Sequence, residues 1–105
     1  MRLSKKIKQA VINHRDECYP RECCGFIVDN NYVPCRNIST DPDSFEIDPK
    51  DTVKAEYLGE IQAIVHSHPH GTSQASAMDK KQMTLHRKPW VIVGKDGDFS
   101  TYENH

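Results

Sequence analysis

Ile61 to Asp79 reads IQAIVHSHPHGTSQASAMD, and both the fold and the chemistry of the chain turn on this stretch. Its start, Ile61 to Ser67, is the most buried-looking β-prone run in the sequence, so a core strand is expected to deliver His66 and His68 at its end. Residues two apart project from one face of a strand, which sets two imidazoles side by side at a spacing suited to one metal ion. A hydrolytic zinc needs a third protein ligand and keeps its fourth position for water. The nearest candidate is Asp79, in the first turn of a helix expected from Ser76 to about Arg87, and the loop from His70 to Gln74 lets the chain fold back. Ser76, three residues before Asp79, offers a hydroxyl for an oxyanion developing on an attacked carbonyl. Glu22 adds a carboxylate from far upstream.

Working outward, Ser4 caps a helix whose stripe of Ile7, Ala10, Val11, His14 and Cys18 has helical spacing, and Pro20 stops it. Cys23 to Asp29 (CCGFIVD) is a strand that turns at Asn30 and Asn31 into Tyr32 to Ile38, forming a hairpin. Ser39 to Ser44 is a loop and Phe45 to Ile47 a short strand. Asp48 and Pro49 start a short helix that runs to about Leu58 and is closed by Gly59. Trp90 to Gly94 (WVIVG) is a core strand, and Lys95 to Asp98 turns it into Phe99 to Tyr102. The order α β β β α β α β β, without repeats or linkers, describes one α/β domain over residues 1–105, a mixed β-sheet flanked by helices.

A chain of 105 residues has room for one core. Its net charge of -1 lacks the basic excess that a phosphate backbone requires, so no nucleic-acid partner is expected. No stretch approaches the roughly 18 apolar residues of a spanning helix, and MRLSKKIKQAVINHRDE has no apolar signal core, so the expectation is a cytosolic protein without a membrane partner. Cys18, Cys23, Cys24 and Cys35 form no CxxC pair, which argues against a zinc knuckle. Reduced thiols are the default, and a disulfide framework stays open.

His66, Ser67, His68, seven residues, Ser76, two residues and Asp79 spell HxHx7SxxD, and with Glu22 upstream the chain resembles the JAMM (MPN+) metallopeptidase family. Composition alone puts a chance match to HxHx7SxxD at about one in several hundred. The resemblance covers nearly the whole chain, since PRECCGFIV, VPCRNIS and HSHP fall in family order. It implies a JAB/MPN-like, cytidine-deaminase-like domain with one zinc ion per chain held by His66, His68 and Asp79. It further implies Glu22 as general base, Ser76 as oxyanion donor and a peptide or isopeptide bond as substrate.

More narrowly, the chain is similar to the amino-terminal domain of phage tail assembly proteins of the K type. That similarity places the hydrolysis in tail assembly or cell-wall peptide cleavage, in the host cytoplasm or on the virion tail. It suggests phage tail-tip proteins or an NlpC/P60 cysteine peptidase domain as partners, the latter absent from these 105 residues.

Each residue also has a plainer reading. A histidine on a strand is more often a surface or hydrogen-bonded group than a ligand. SxxD before a helix is first a capping signature, and Glu22 by itself is a solvated turn charge. Only the joint pattern reverses these readings. His70 is out of register with the strand face and reads as a rim residue; His14, His86 and His105 have no claim on the site, and Trp90 reads as packing. The competing function is a catalytically silent MPN-type assembly module, which would be expected to lack the ligands that this sequence keeps. A closed structural zinc site fits poorly because two His and one Asp leave the shell open, and a cupin-type site would require an all-β fold.

Overall fold

A computed structural model describes residues 1–103; His105 lies outside them. The first helix, α1 (Lys5–Cys18), begins where the Ser4 hydroxyl accepts the Ile7 N–H at 3.1 Å, and it buries Ile7 and Val11 against the sheet. Strands β1 (Cys24–Val28) and β2 (Asn31–Cys35) form a hairpin. Its turn is Asp29–Asn30, one residue earlier than expected, and both residues sit at positive φ (51° and 61°), the conformation a two-residue hairpin loop requires. Helix α2 (Pro49–Leu58) is capped by Asp48 and followed by β3 (Ile61–His68), α3 (Ala77–Leu85), β4 (Trp90–Gly94) and β5 (Phe99–Tyr102).

The sheet order is β2-β1-β3-β4-β5, with β3 and β4 parallel and the other neighbours antiparallel, so the sheet is mixed and three helices flank it among the described residues. The strand carrying the histidines is central. It is not the most buried strand, however: β1 and β4 are buried throughout, whereas Ile61, Gln62, Ile64 and His68 of β3 are half-buried. Ile64 is partly open because it lines the floor of a cleft, in register with Phe26 on β1 and Trp90 on β4.

The expected strand Phe45 to Ile47 is reduced to a single bridge between Asn37 and Ile47. The Glu46 N–H bonds to the side chain of Asn37 in place of a ladder partner, and Phe45 turns inward onto His66 and Trp90. The second strand accordingly stops at Cys35 instead of Ile38. Helix α3 ends at Leu85, two residues short of the expected Arg87; that leucine is 73% exposed, while Met83 is buried. The four cysteines are free thiols. No helix among the described residues is long and apolar enough to cross a membrane.

Candidate metal centre

The alternation of β3 puts Ile64, His66 and His68 on one face; Ile64 and His68 line the cleft, and His66 lies fully buried between them. The seven residues after His68 are held from outside. Asp98 accepts the Ser73 N–H at 2.7 Å, Ser100 bonds the Ser73 hydroxyl at 2.6 Å, and the Tyr102 hydroxyl accepts from the Ala75 N–H at 2.9 Å. Lys95 adds a backbone bond to the Gly71 carbonyl at 2.8 Å. Thus the β4–β5 hairpin fixes where α3 starts, and with it Asp79.

The result is a cluster of His66, His68 and Asp79 whose ligand atoms lie within 4.8 Å of one another. His66 Nε2 is 3.1 Å from Asp79 Oδ1, and His68 Nε2 is 3.0 Å from Asp79 Oδ2. Each Nε2 thus faces a different oxygen of the one carboxylate, and the three side chains bring their donor atoms close enough to hold a single ion. His66 is fully buried, yet neither of its ring nitrogens has a hydrogen-bond partner, and Nε2 approaches the carboxylate without the alignment of a hydrogen bond. A buried nitrogen in that state is costly in a purely structural role and is satisfied by a cation, so the donor set fits a divalent metal. His68 Nδ1 lies 2.8 Å from the Thr72 carbonyl; donating there leaves its Nε2 lone pair facing the cluster.

The electrostatics favour that arrangement at His66 and Asp79, whereas at His68 the carboxylate favours the protonated ring, whose Nε2 proton a metal would have to displace. Burial lowers the His66 pKa and outweighs the carboxylate beside it, which favours the neutral, ligating ring. The hydrogen bond with Asp79 raises that of His68 against its burial. Burial also opposes ionisation of Asp79, but the two histidines and the Ser76 N–H prevail and hold its carboxyl well below the usual range. Glu22, half-buried in the same cleft, is pushed up to about 7 by burial; His68 opposes the shift, and Asp79, Asp43 and Asp41 add to it.

Ser76 is the N-cap of α3 and also lines the cleft. Its hydroxyl accepts the Asp79 N–H at 3.0 Å and its own N–H donates to Asp79 Oδ2 at 2.9 Å, so the capping reading of this pair holds. Capping uses Oδ2 and leaves Oδ1 turned to His66, so one carboxylate can serve both tasks. His70 is exposed at the rim, with Nε2 3.2 Å from the Pro20 carbonyl, and is not among the clustered ligands. Trp90 is buried and packs edge-on to His66, as expected of a core residue.

The cleft encloses about 970 Å³. Its charged lining consists of Glu22, Asp41, Asp43, Glu46 and Asp79, with no lysine or arginine among the described residues. Sequence reasoning missed Phe45, whose ring stacks on His66 at 4.5 Å and 21°, and Asn37, which bonds the Glu22 carbonyl. It also missed Asp98 and Tyr102; all four act across long sequence separations that leave no local pattern.

The chain matches the family described as "Prokaryotic homologs of the JAB domain" over residues 4–104. It is 40% identical over 107 residues to tail tip assembly protein K of Escherichia phage N15, covering 96% of this chain and 44% of that protein. A shorter match, 42% over 45 residues, is to tail tip assembly protein K of Escherichia phage lambda, covering 43% of this chain and 23% of that one. The chain therefore spans less than half the length of these relatives. Among solved structures, protein DSY2949 of Desulfitobacterium hafniense superposes with a TM-score of 0.75 at 20% identity over 98% of this chain and 90% of that one. AF2198 of Archaeoglobus fulgidus, a JAB1/MPN domain protein, gives 0.66 at 19% identity over 98% and 89%. These two likenesses bear on the fold.

Proposed function

The chain belongs to the prokaryotic JAB-domain family, and on that premise we propose that it is a zinc-dependent metallopeptidase cleaving a peptide or isopeptide bond, with His66, His68 and Asp79 as ligands. The observation that carries the proposal is the convergence of these three side chains, with a fully buried His66 ring that makes no aligned hydrogen bond, beside a cleft lined by His68, Asp79, Glu22 and Ser76. Zinc bound there would supply Lewis acidity and acidify a water in the open fourth position.

The chain's own groups do the rest. Glu22 takes a proton from the attacking water as the water oxygen bonds to the carbonyl carbon, and gives that proton to the leaving nitrogen as the C–N bond breaks. Ser76 uses its hydroxyl oxygen as cap acceptor and still has its O–H to donate to the carbonyl oxygen as charge develops there. Phe45, stacked on His66, keeps bulk water from the inner side of the cluster.

The experiment is metal analysis together with turnover of internally quenched isopeptide and stem-peptide probes and a phage tail-tip protein, with and without chelator. Cleavage that chelation stops and zinc restores is expected; a zinc-loaded chain that cleaves none of them sinks the hydrolase. The phage relatives are tail tip assembly proteins, which favours a role in tail-tip assembly, and a silent assembly module is the second reading. Complementation of tail assembly by a Glu22→Gln chain would decide for it.

A further inference from the structure

Asn37 uses its whole side-chain amide. Nδ2 donates to the Glu22 carbonyl at 3.0 Å and to the Ser44 carbonyl at 3.1 Å, while Oδ1 accepts from the Ser39 N–H at 3.0 Å and the Glu46 N–H at 3.1 Å. A primary amide has two N–H donors and two acceptor sites, so none is left over. One partner precedes β1, and the other three lie along the irregular segment 39–46. That segment carries Phe45 onto His66 and brings Asp41 and Asp43 to the cleft that Glu22 lines. Regular structure holds neither side: Glu22 lies outside β1, and the segment touches the sheet's hydrogen-bonding pattern only through the Asn37–Ile47 bridge.

We propose that Asn37 is a positioning residue, whose amide ties the Glu22 backbone to the 39–46 segment and so keeps the Glu22 carboxyl in the cleft beside His68 and Asp79; this rests on reading Glu22 as the base. A base must reach its proton at about 2.6–3.2 Å, and a displacement of about 1 Å costs up to 10²-fold in rate. The Glu22 side chain hangs from a backbone carbonyl that Asn37 bonds directly. Removing the amide takes away the bond to the Glu22 carbonyl and three bonds to the facing wall at once, leaving Cys23 on Ser67 and the Arg21 guanidinium on the Ser39 carbonyl.

The test is a double-mutant cycle on the zinc-reconstituted chain with an internally quenched isopeptide probe, using Asn37→Ala, which adds no charge, alone and with Glu22→Gln. In the otherwise native chain kcat is expected to fall roughly 10- to 100-fold, with KM and zinc Kd changed by less than about twofold. In the Glu22→Gln background the same substitution should cost less than about twofold more, because the group it positions is already gone. Equal losses in both backgrounds would overturn the proposal, and so would a loss confined to KM.

Amide hydrogen exchange gives a readout free of turnover. Asn37→Ala should release the Ser39 and Glu46 amides while Val65 and Val91, in the centre of the sheet, keep their protection. Unchanged exchange at Ser39 and Glu46, or a loss of protection spread over the sheet, overturns the positioning role. A wild-type chain that cleaves no probe defeats the base assignment alone, and the exchange result still decides what Asn37 holds.

Discussion

Ser76 and Asp79 bind each other twice, hydroxyl to N–H at 3.0 Å and N–H to carboxylate at 2.9 Å, so the turn that starts α3 is also the mount of the one acidic side chain of the cluster. Ser76→Ala removes the cap acceptor and should cost about 1 kcal/mol of stability. Ser76→Gly also lacks the hydroxyl but should cost only a few tenths of a kcal/mol as a cap. Both variants should bind zinc, and both should turn over about 10²-fold more slowly if the O–H serves the oxyanion. Full turnover by Ser76→Gly would leave capping as the only role of this serine.

Zinc should bind at one ion per chain and raise the melting temperature, since a ligand of the native state alone adds RT ln(1 + [L]/Kd), about 2.7 kcal/mol at a hundredfold excess over Kd. His66→Ala and Asp79→Ala should abolish or severely weaken binding, whereas His70→Ala, whose ring faces the Pro20 carbonyl, should leave it near normal. The stabilisation should shrink below about pH 6 as protons compete for the imidazoles. Calorimetry with and without chelator reads both effects, and loss of metal from His70→Ala would mean that the shell is drawn wrongly.

Glu22→Gln keeps shape and hydrogen-bonding capacity but cannot accept the proton. Turnover should fall by about 10²- to 10⁴-fold with zinc affinity barely moved. A Glu22→Gln chain as fast as the wild type, on a probe that His68→Ala cannot cleave, would retain the metal and remove Glu22 from the mechanism.

His14, on the far side of the sheet from the cleft, gives a pH dependence unrelated to the metal. Burial lowers its pKa from 6.5, with Glu17 opposing, and its Nδ1 lies 2.6 Å from the Tyr32 hydroxyl. Between the lowered folded value and the unfolded one the unfolded chain binds more protons, so this contribution is complete above about pH 6.5 and is lost as pH falls through the folded value. In the metal-free protein Glu22, pushed up to about 7, and His68, whose pKa is raised, act in the opposite sense over the same range, and His66 acts in the same sense as His14. The His14 contribution is therefore read as a difference: between pH 7.5 and pH 5 the melting temperature of the native chain should fall relative to that of His14→Gln. Parallel melting curves for the two proteins across this range would refute the assignment.

The charged lining of the cleft is entirely acidic among the described residues, although the chain as a whole carries a net charge of only -1. Peptide probes with lysine or arginine near the scissile bond should show higher kcat/KM than the same probes with glutamate, and the gap should narrow with added salt. A preference for the acidic probes would contradict this reading of the wall.

What the sequence made legible was local. Ser4, Pro49 and Ser76 announce helix starts through capping and φ preference, and the period of two puts His66 and His68 on one face. The misreadings share one physical origin, a side chain that takes over a backbone's partner or leaves its expected face. Phe45 to Ile47 has strand composition, but the Asn37 amide occupies the hydrogen bond a ladder would use. Asp98 and Tyr102 sit in an unremarkable hairpin and hold the Ser73–Ala75 turn from 25 and 27 residues away. Such contacts exist only after the sheet has formed, so no window along the chain contains them.

The clamp of the β4–β5 hairpin on that turn also sets an order of events during synthesis. His66, His68 and Asp79 leave the ribosome before Trp90 to Tyr102 do, yet β4 is the parallel neighbour of β3, and Asp98, Ser100 and Tyr102 hold the approach to α3. A nascent chain that already contains all three donors thus has no fixed place for the third one until the last strand is threaded into the sheet. The centre matures only after Trp90 to Tyr102 have been made, and a polypeptide interrupted near residue 88 would carry the full motif without the means to assemble it.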